Sequence, residues 1–98
     1  MPNMKATLEH HTKYDDSDGN IVEIKIWRVP VTEYAPHGIK YSLVYIVDGV
    51  RVVGYDNERG KGDHRHINGV EFLYQYHGVQ ALFNDFKADM KEVKQGVI

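Results

Sequence analysis

The chain has 98 residues, 42% hydrophobic and 27% charged, which fits one ordinary globular domain spanning 1–98 and excludes two independent cores. A net charge of −2 excludes a protein that coats nucleic acid by bulk charge, while allowing a local basic patch. The absence of cysteine excludes disulfides, thiol catalysis and cysteine-held zinc or iron–sulfur clusters together, and leaves His, Asp and Glu as the available metal ligands.

Alternation at period two predicts a first strand from Lys5 to Tyr14, closed by the turn residues Asp15, Asp16, Ser17, Asp18 and Gly19. A second strand, Ile21 to Val29, sets Val22, Ile24 and Ile26 on one face and Glu23, Lys25 and Trp27 on the other, and Pro30 ends it. After a loop with Pro36 and Gly38, Lys40 to Val47 is apolar on both faces and is therefore expected at the centre of the sheet. Asp48-Gly49 predicts a two-residue hairpin into Val50 to Asp56, because both central positions of a type I′ turn need positive φ. An unbroken register then pairs Val47 with Val50, Tyr45 with Val52, Leu43 with Gly54 and Tyr41 with Asp56. Further on, Gly69 to Tyr76 carries Phe72, Tyr74 and Tyr76 in alternation and reads as a fifth, edge strand. From Val79, the residues Leu82, Phe83, Phe86, Met90 and Val93 recur at helical spacing until Gly96.

The expected fold is thus α+β, a mostly antiparallel sheet of four or five strands with one C-terminal helix packed on one face. The second face has no covering element and includes Trp27, which points to a protein partner or a homodimer through that face. Cover by loops and long side chains is the alternative. No apolar run approaches the ~20 residues of a membrane span, and no apolar stretch follows a basic one at the N-terminus, so no membrane partner and a cytoplasmic location are expected.

Between Asp56 and His66 the chain is dense in ionisable residues, with Gly60 and Gly62 and no large apolar side chain, so packing does not explain it. One reading is metal-independent phosphodiester chemistry. Cleavage of RNA at the 2′-hydroxyl needs a base, an acid and fixed cations where charge builds on phosphorus. His64 and His66 are the candidates for base and acid, since an imidazole titrates near physiological pH. Glu58 or Asp63 would orient a histidine or act as the base, Arg59, Lys61 and Arg65 would hold the phosphate, and Tyr55, adjoining the run, would stack on a base. In a metal-dependent reading His64 and His66 join Asp56, Glu58 or Asp63 as ligands, but Arg59, Lys61 and Arg65 oppose a cation, so no metal or other cofactor is expected. A plain solvated loop, with exposed pairs contributing about 0–1 kcal/mol each, stands beside both.

Residues Ile26-Trp27-Arg28-Val29-Pro30, the Tyr45 to Val53 hairpin, and above all Val53-Gly54-Tyr55-Asp56-Asn57-Glu58-Arg59-Gly60-Lys61-Gly62-Asp63-His64-Arg65-His66 resemble the TumE family, toxins of prokaryotic toxin–antitoxin modules. Leu82 to Asp89 is similar to the family's closing helix. The resemblance implies a small cytoplasmic toxin neutralised by a cognate antitoxin, commonly a helix-turn-helix DNA-binding protein. By analogy with other small α+β toxins it also implies an endoribonuclease with RNA as substrate. The rival from another class is a non-catalytic module that binds nucleic acid, the antitoxin or another partner through the same loop. A metal-dependent nuclease comes third.

Overall fold

In the computed structural model, which describes residues 6–33, 35–57 and 62–98, the strands follow the turn residues. They are β1 (Thr7–Asp15), β2 (Ile21–Arg28), β3 (Ile39–Val47), β4 (Val50–Asp56), β5 (His64–Ile67) and β6 (Val70–Leu73), followed by the helix α1 (Val79–Lys94). They form one sheet in chain order, every neighbouring pair antiparallel, with α1 lying across one face. This is the expected α+β arrangement, with six strands among the described residues where the sequence reading gives four or five.

The additional strand comes out of the polar run. Asp48 and Gly49 take φ of 51° and 77°, and Asn68 and Gly69 repeat the geometry with 49° and 83°. Both are two-residue turns whose twist matches that of the strands they join. The edge segment read as Gly69 to Tyr76 is accordingly the second arm of a hairpin, β6, and its first arm is His64–Ile67, the end of what reads in sequence as a loop.

The β3–β4 register departs from the unbroken one. Val47 pairs with Val50 as expected, and Ile46 with Arg51, but beyond them Tyr45 meets Val53, Leu43 meets Tyr55 and Ser42 meets Asp56. Val52 is left as the extra residue of a β-bulge. The bulge corrects the faces as well as the pairs, because a slip of one residue reverses every side chain beyond it. The straight register would put Gly54 and Asp56 opposite the core residues Leu43 and Tyr41. The bulged one puts Tyr55 opposite Leu43 and Val53 opposite Tyr45, and Gly54 and Asp56 turn to the other face.

The core is built from Val22 and Ile26 of β2, Tyr41, Leu43 and Tyr45 of β3, Val53 and Tyr55 of β4, and Leu82 and Phe86 of α1. Phe83, Met90 and Val93 complete the apolar stripe of the helix, as the spacing predicts, and Gly96 ends it at φ 74°. Asn57 is buried beyond β4, where its Oδ1 accepts from the Tyr41 amide at 2.9 Å and its Nδ2 donates to the Ile39 carbonyl at 2.7 Å. It thereby satisfies backbone groups past the last β4 pair and fixes where the chain leaves the sheet.

At the other end of the sheet Asp16 organises the first turn. Its Oδ1 accepts from the amides of Asp18 and Asn20 at 2.9 and 3.0 Å, its Oδ2 accepts from the Tyr45 hydroxyl at 2.6 Å, and Lys94 lies 3.3 Å away. The Tyr45 hydrogen bond, helped by the two amides and Lys94 against some desolvation, holds the Asp16 carboxyl down at about 2, from an ordinary 3.8. A depressed carboxyl favours the folded state fully above its unfolded pKa and loses that contribution as pH falls through the folded one. Urea unfolding from pH 5 to pH 2 should therefore show wild type falling toward D16N, with the gap between them closing below about pH 4. A gap constant across that range would show that the charge of Asp16 adds nothing to stability.

Candidate functional site

Alternation along β5 divides the polar run between two faces. Arg65 pairs with Tyr55 on the helix side, while His64 pairs with Asp56 and His66 with Gly54 on the side away from the helix. Among the described residues no helix or further strand packs over that second face, and both imidazoles lie on it as neighbours two residues apart.

Each imidazole has a carboxylate beside it. His66 Nε2 is 3.3 Å from Asp56 Oδ2 and 3.8 Å from Glu71 Oε2, and His64 Nδ1 is 3.2 Å from Glu71 Oε2. Glu71 sits on β6 directly opposite His66, and Asp56 lies on β4 opposite His64, two pairs along from Gly54–His66 and on the same face. Only 12% of the His64 side chain and 15% of the His66 side chain is exposed, so these rings are held among neighbours and do not belong to a freely solvated run. The result is a His–carboxylate–His cluster in which a proton donor and a proton acceptor lie close together, the minimum that general acid–base chemistry needs. Glu71 escapes the sequence reading because its strand partner does. Asn68-Gly69 between Ile67 and Val70 is the signal that identifies the hairpin and brings it in.

The other expected site residues are distributed differently. Arg65 turns to the helix side, where its Nε and Nη2 donate to Asp89 at 2.8 Å each and its guanidinium also lies over the Phe72 ring at 5.8 Å. Tyr55, expected to stack on a base, is 2% exposed and donates its hydroxyl to the same Asp89 carboxylate. Burial, reinforced by that carboxylate, pushes the Tyr55 hydroxyl far above its ordinary pKa and keeps it a neutral donor. Arg65, Tyr55 and Asp89 thus tie β4 and β5 to α1. The pairing that commits Arg65 is a buried aspartate on the helix, which periodicity alone marks as an apolar position.

Asp63 joins a third group. Its Oδ1 accepts from the Tyr41 hydroxyl at 2.6 Å and from His37 Nε2 at 3.2 Å, so it orients His37 in place of His64 or His66. Tyr76 stacks 4.0 Å from His37, with Tyr41 behind it at 5.6 Å, and the Asp63 carbonyl accepts from the Tyr74 amide at 3.1 Å. This group pins the C-terminal end of the polar run to the sheet. Glu58, Arg59 and Lys61, the remaining expected residues, lie outside the described residues. Among the described residues no group of three or more His, Asp or Glu side chains is arranged to hold a metal ion, and no helix is long and apolar enough to cross a membrane.

A family model described as Toxin TumE matches residues 4–94, nearly the whole chain. No curated protein and no solved structure matches it.

Proposed function

The chain belongs to the TumE toxin family, and from that premise we propose that it is the toxin of a toxin–antitoxin module and acts as a metal-independent endoribonuclease through His64 and His66. The observation that carries the reading is the pair of imidazoles on the face away from the helix, each within 3.3 Å of a carboxylate. One imidazole takes the proton of a ribose 2′-hydroxyl as its oxygen bonds to the adjacent phosphorus. The other gives a proton to the departing 5′-oxygen as the phosphorus–oxygen bond breaks. The products are a 2′,3′-cyclic phosphate and a 5′-hydroxyl end, with no redox change and no co-reactant. Asp56 and Glu71 hold the rings in place, and Arg59 and Lys61, in the run that leads into β5, are assigned to the phosphate on sequence grounds. Arg65 and Tyr55 serve the site indirectly, by fastening its strands to α1.

The test is incubation of the purified protein with cellular RNA in the presence of a chelator. The expected result is fragments with 2′,3′-cyclic phosphate and 5′-hydroxyl ends. Tight, salt-sensitive binding of RNA that stays intact would replace this reading by the non-catalytic module, and activity abolished by the chelator would restore the metal-dependent nuclease. A toxin family implies a neutralising partner, and a cytoplasmic helix-turn-helix antitoxin is part of the same proposal. Induced expression should arrest bacterial growth and fragment RNA, and co-expression of a neighbouring helix-turn-helix protein should relieve both.

A further inference from the structure

We propose that Arg51, laid across Gly54 on the histidine face, grips the phosphodiester that His64 and His66 act on, an assignment that rests on the RNA-cleaving reading. A fixed cation at the scissile phosphate is what that chemistry requires, and the basic residue of β5 itself, Arg65, is committed to Asp89 on the far side of the sheet. Arg51 is on the correct face. It pairs with Ile46, and beyond the Val52 bulge Gly54 returns to that same face and pairs with His66.

The glycine is what lets the arginine lie there. A Cβ placed on Gly54 would come within 3.1 Å of Arg51 Cδ, 3.3 Å of its Nε and 3.5 Å of its Cζ, so the side chain runs flat over a position that has no side chain of its own. Gly54 lies between Val44 of β3 and His66 of β5, and cross-strand neighbours stand about 4.5–5.5 Å apart at Cβ, so the guanidinium head over Gly54 is within side-chain reach of His66. Arg51 is exposed and has no ion-pair partner among the described residues, whereas Lys25 on the same face is 3.8 Å from Glu23. A planar guanidinium held flat beside an imidazole can present two parallel donors to the phosphate oxygens while the imidazole reaches the ribose or the leaving oxygen. The β-bulge, the glycine and the arginine thus form one device, because without the bulge residue Gly54 and Arg51 would not share a face with His66.

The experiment is fluorescence-anisotropy titration of a short 2′-O-methyl RNA, which lacks the nucleophilic hydroxyl and reports binding without cleavage, over a range of salt concentrations. R51A should weaken binding about tenfold and reduce the salt slope by about 0.7–1, the loss of one phosphate contact. R51K should fall between R51A and wild type. G54A, which keeps the charge and displaces the guanidinium, should weaken binding in the same direction, and R51A/G54A should bind no more weakly than R51A. K87A, on the exposed side of α1, should bind as wild type, and thermal unfolding should confirm that each variant folds. R51A binding like wild type, or wild type failing to bind the probe, overturns the proposal. If binding depends on Arg51 while unmodified RNA stays intact, the phosphate contact stands and the cleavage reading is the one that falls.

Discussion

Replacing Asp89 by alanine is expected to destabilise the fold by about 2–4 kcal/mol. Removing one partner of a buried ion pair costs about 3–5 kcal/mol, and the lower range applies because Arg65 keeps 32% of its side chain exposed, where water screens the charge left behind. Asp89 is 8% exposed as a side chain and accepts from Arg65 twice and from the Tyr55 hydroxyl. D89A therefore strands a guanidinium and a phenol between β4, β5 and α1. In a domain of this size about 1 kcal/mol moves the melting temperature by 4–8 °C, so a drop of roughly 10 °C or more is expected. D89N, which still accepts from Tyr55, should lose less. R65M/D89L should lose less than D89A alone, since replacing both partners leaves no charge uncompensated. A melting temperature unchanged in D89A would show that the apolar stripe of α1 alone holds the helix on the sheet.

The same network shows which parts of the molecule are legible in the sequence. Leu82, Phe83, Phe86, Met90 and Val93 announce the helix and its face because burial of apolar side chains at helical spacing is a local pattern. Asp89 shares that face and is silent, since its burial depends on two partners from other strands, Tyr55 and Arg65. The hairpin at Asp48-Gly49 is readable from its turn residues, and the one at Asn68-Gly69 carries the same chemistry but is masked by the polar run that precedes it. His64-Arg65-His66 contains no apolar residue with which to mark a buried face, because the helix-side position is filled by an arginine that a carboxylate neutralises. The resulting strand nonetheless sets both imidazoles on one side, as their spacing of two in an extended segment requires. The bulge at Val52 left no trace in the alternation of Val50 to Asp56. What selects it is the tertiary demand that Val53 and Tyr55, and not Val52 and Gly54, meet Tyr45 and Leu43.

RNA cleavage by H64A and by H66A is expected to fall at least ~100-fold below wild type, the lower end of what one positioned acid or base contributes. The two residues act as a unit in the proposed step, so H64A/H66A should be scarcely slower than the worse single variant, as losses within one catalytic group do not add. Position distinguishes the carboxylates from the imidazoles. D56N removes the charge 3.3 Å from His66 Nε2 while leaving both rings in place, so it should lower cleavage by less than H66A does. Glu71 lies within 3.8 Å of both imidazoles, and E71Q tests whether one carboxylate couples the pair. Both histidines are largely enclosed, so each variant's urea unfolding must be measured beside its rate, and only a rate lost at preserved stability counts as chemistry. If either histidine is the proton carrier, its variant should fold, bind the 2′-O-methyl probe and fail to cut. Unchanged cleavage in both single variants would remove the imidazoles from the mechanism and leave the base to be sought at Glu58, in the stretch of the polar run outside the described residues.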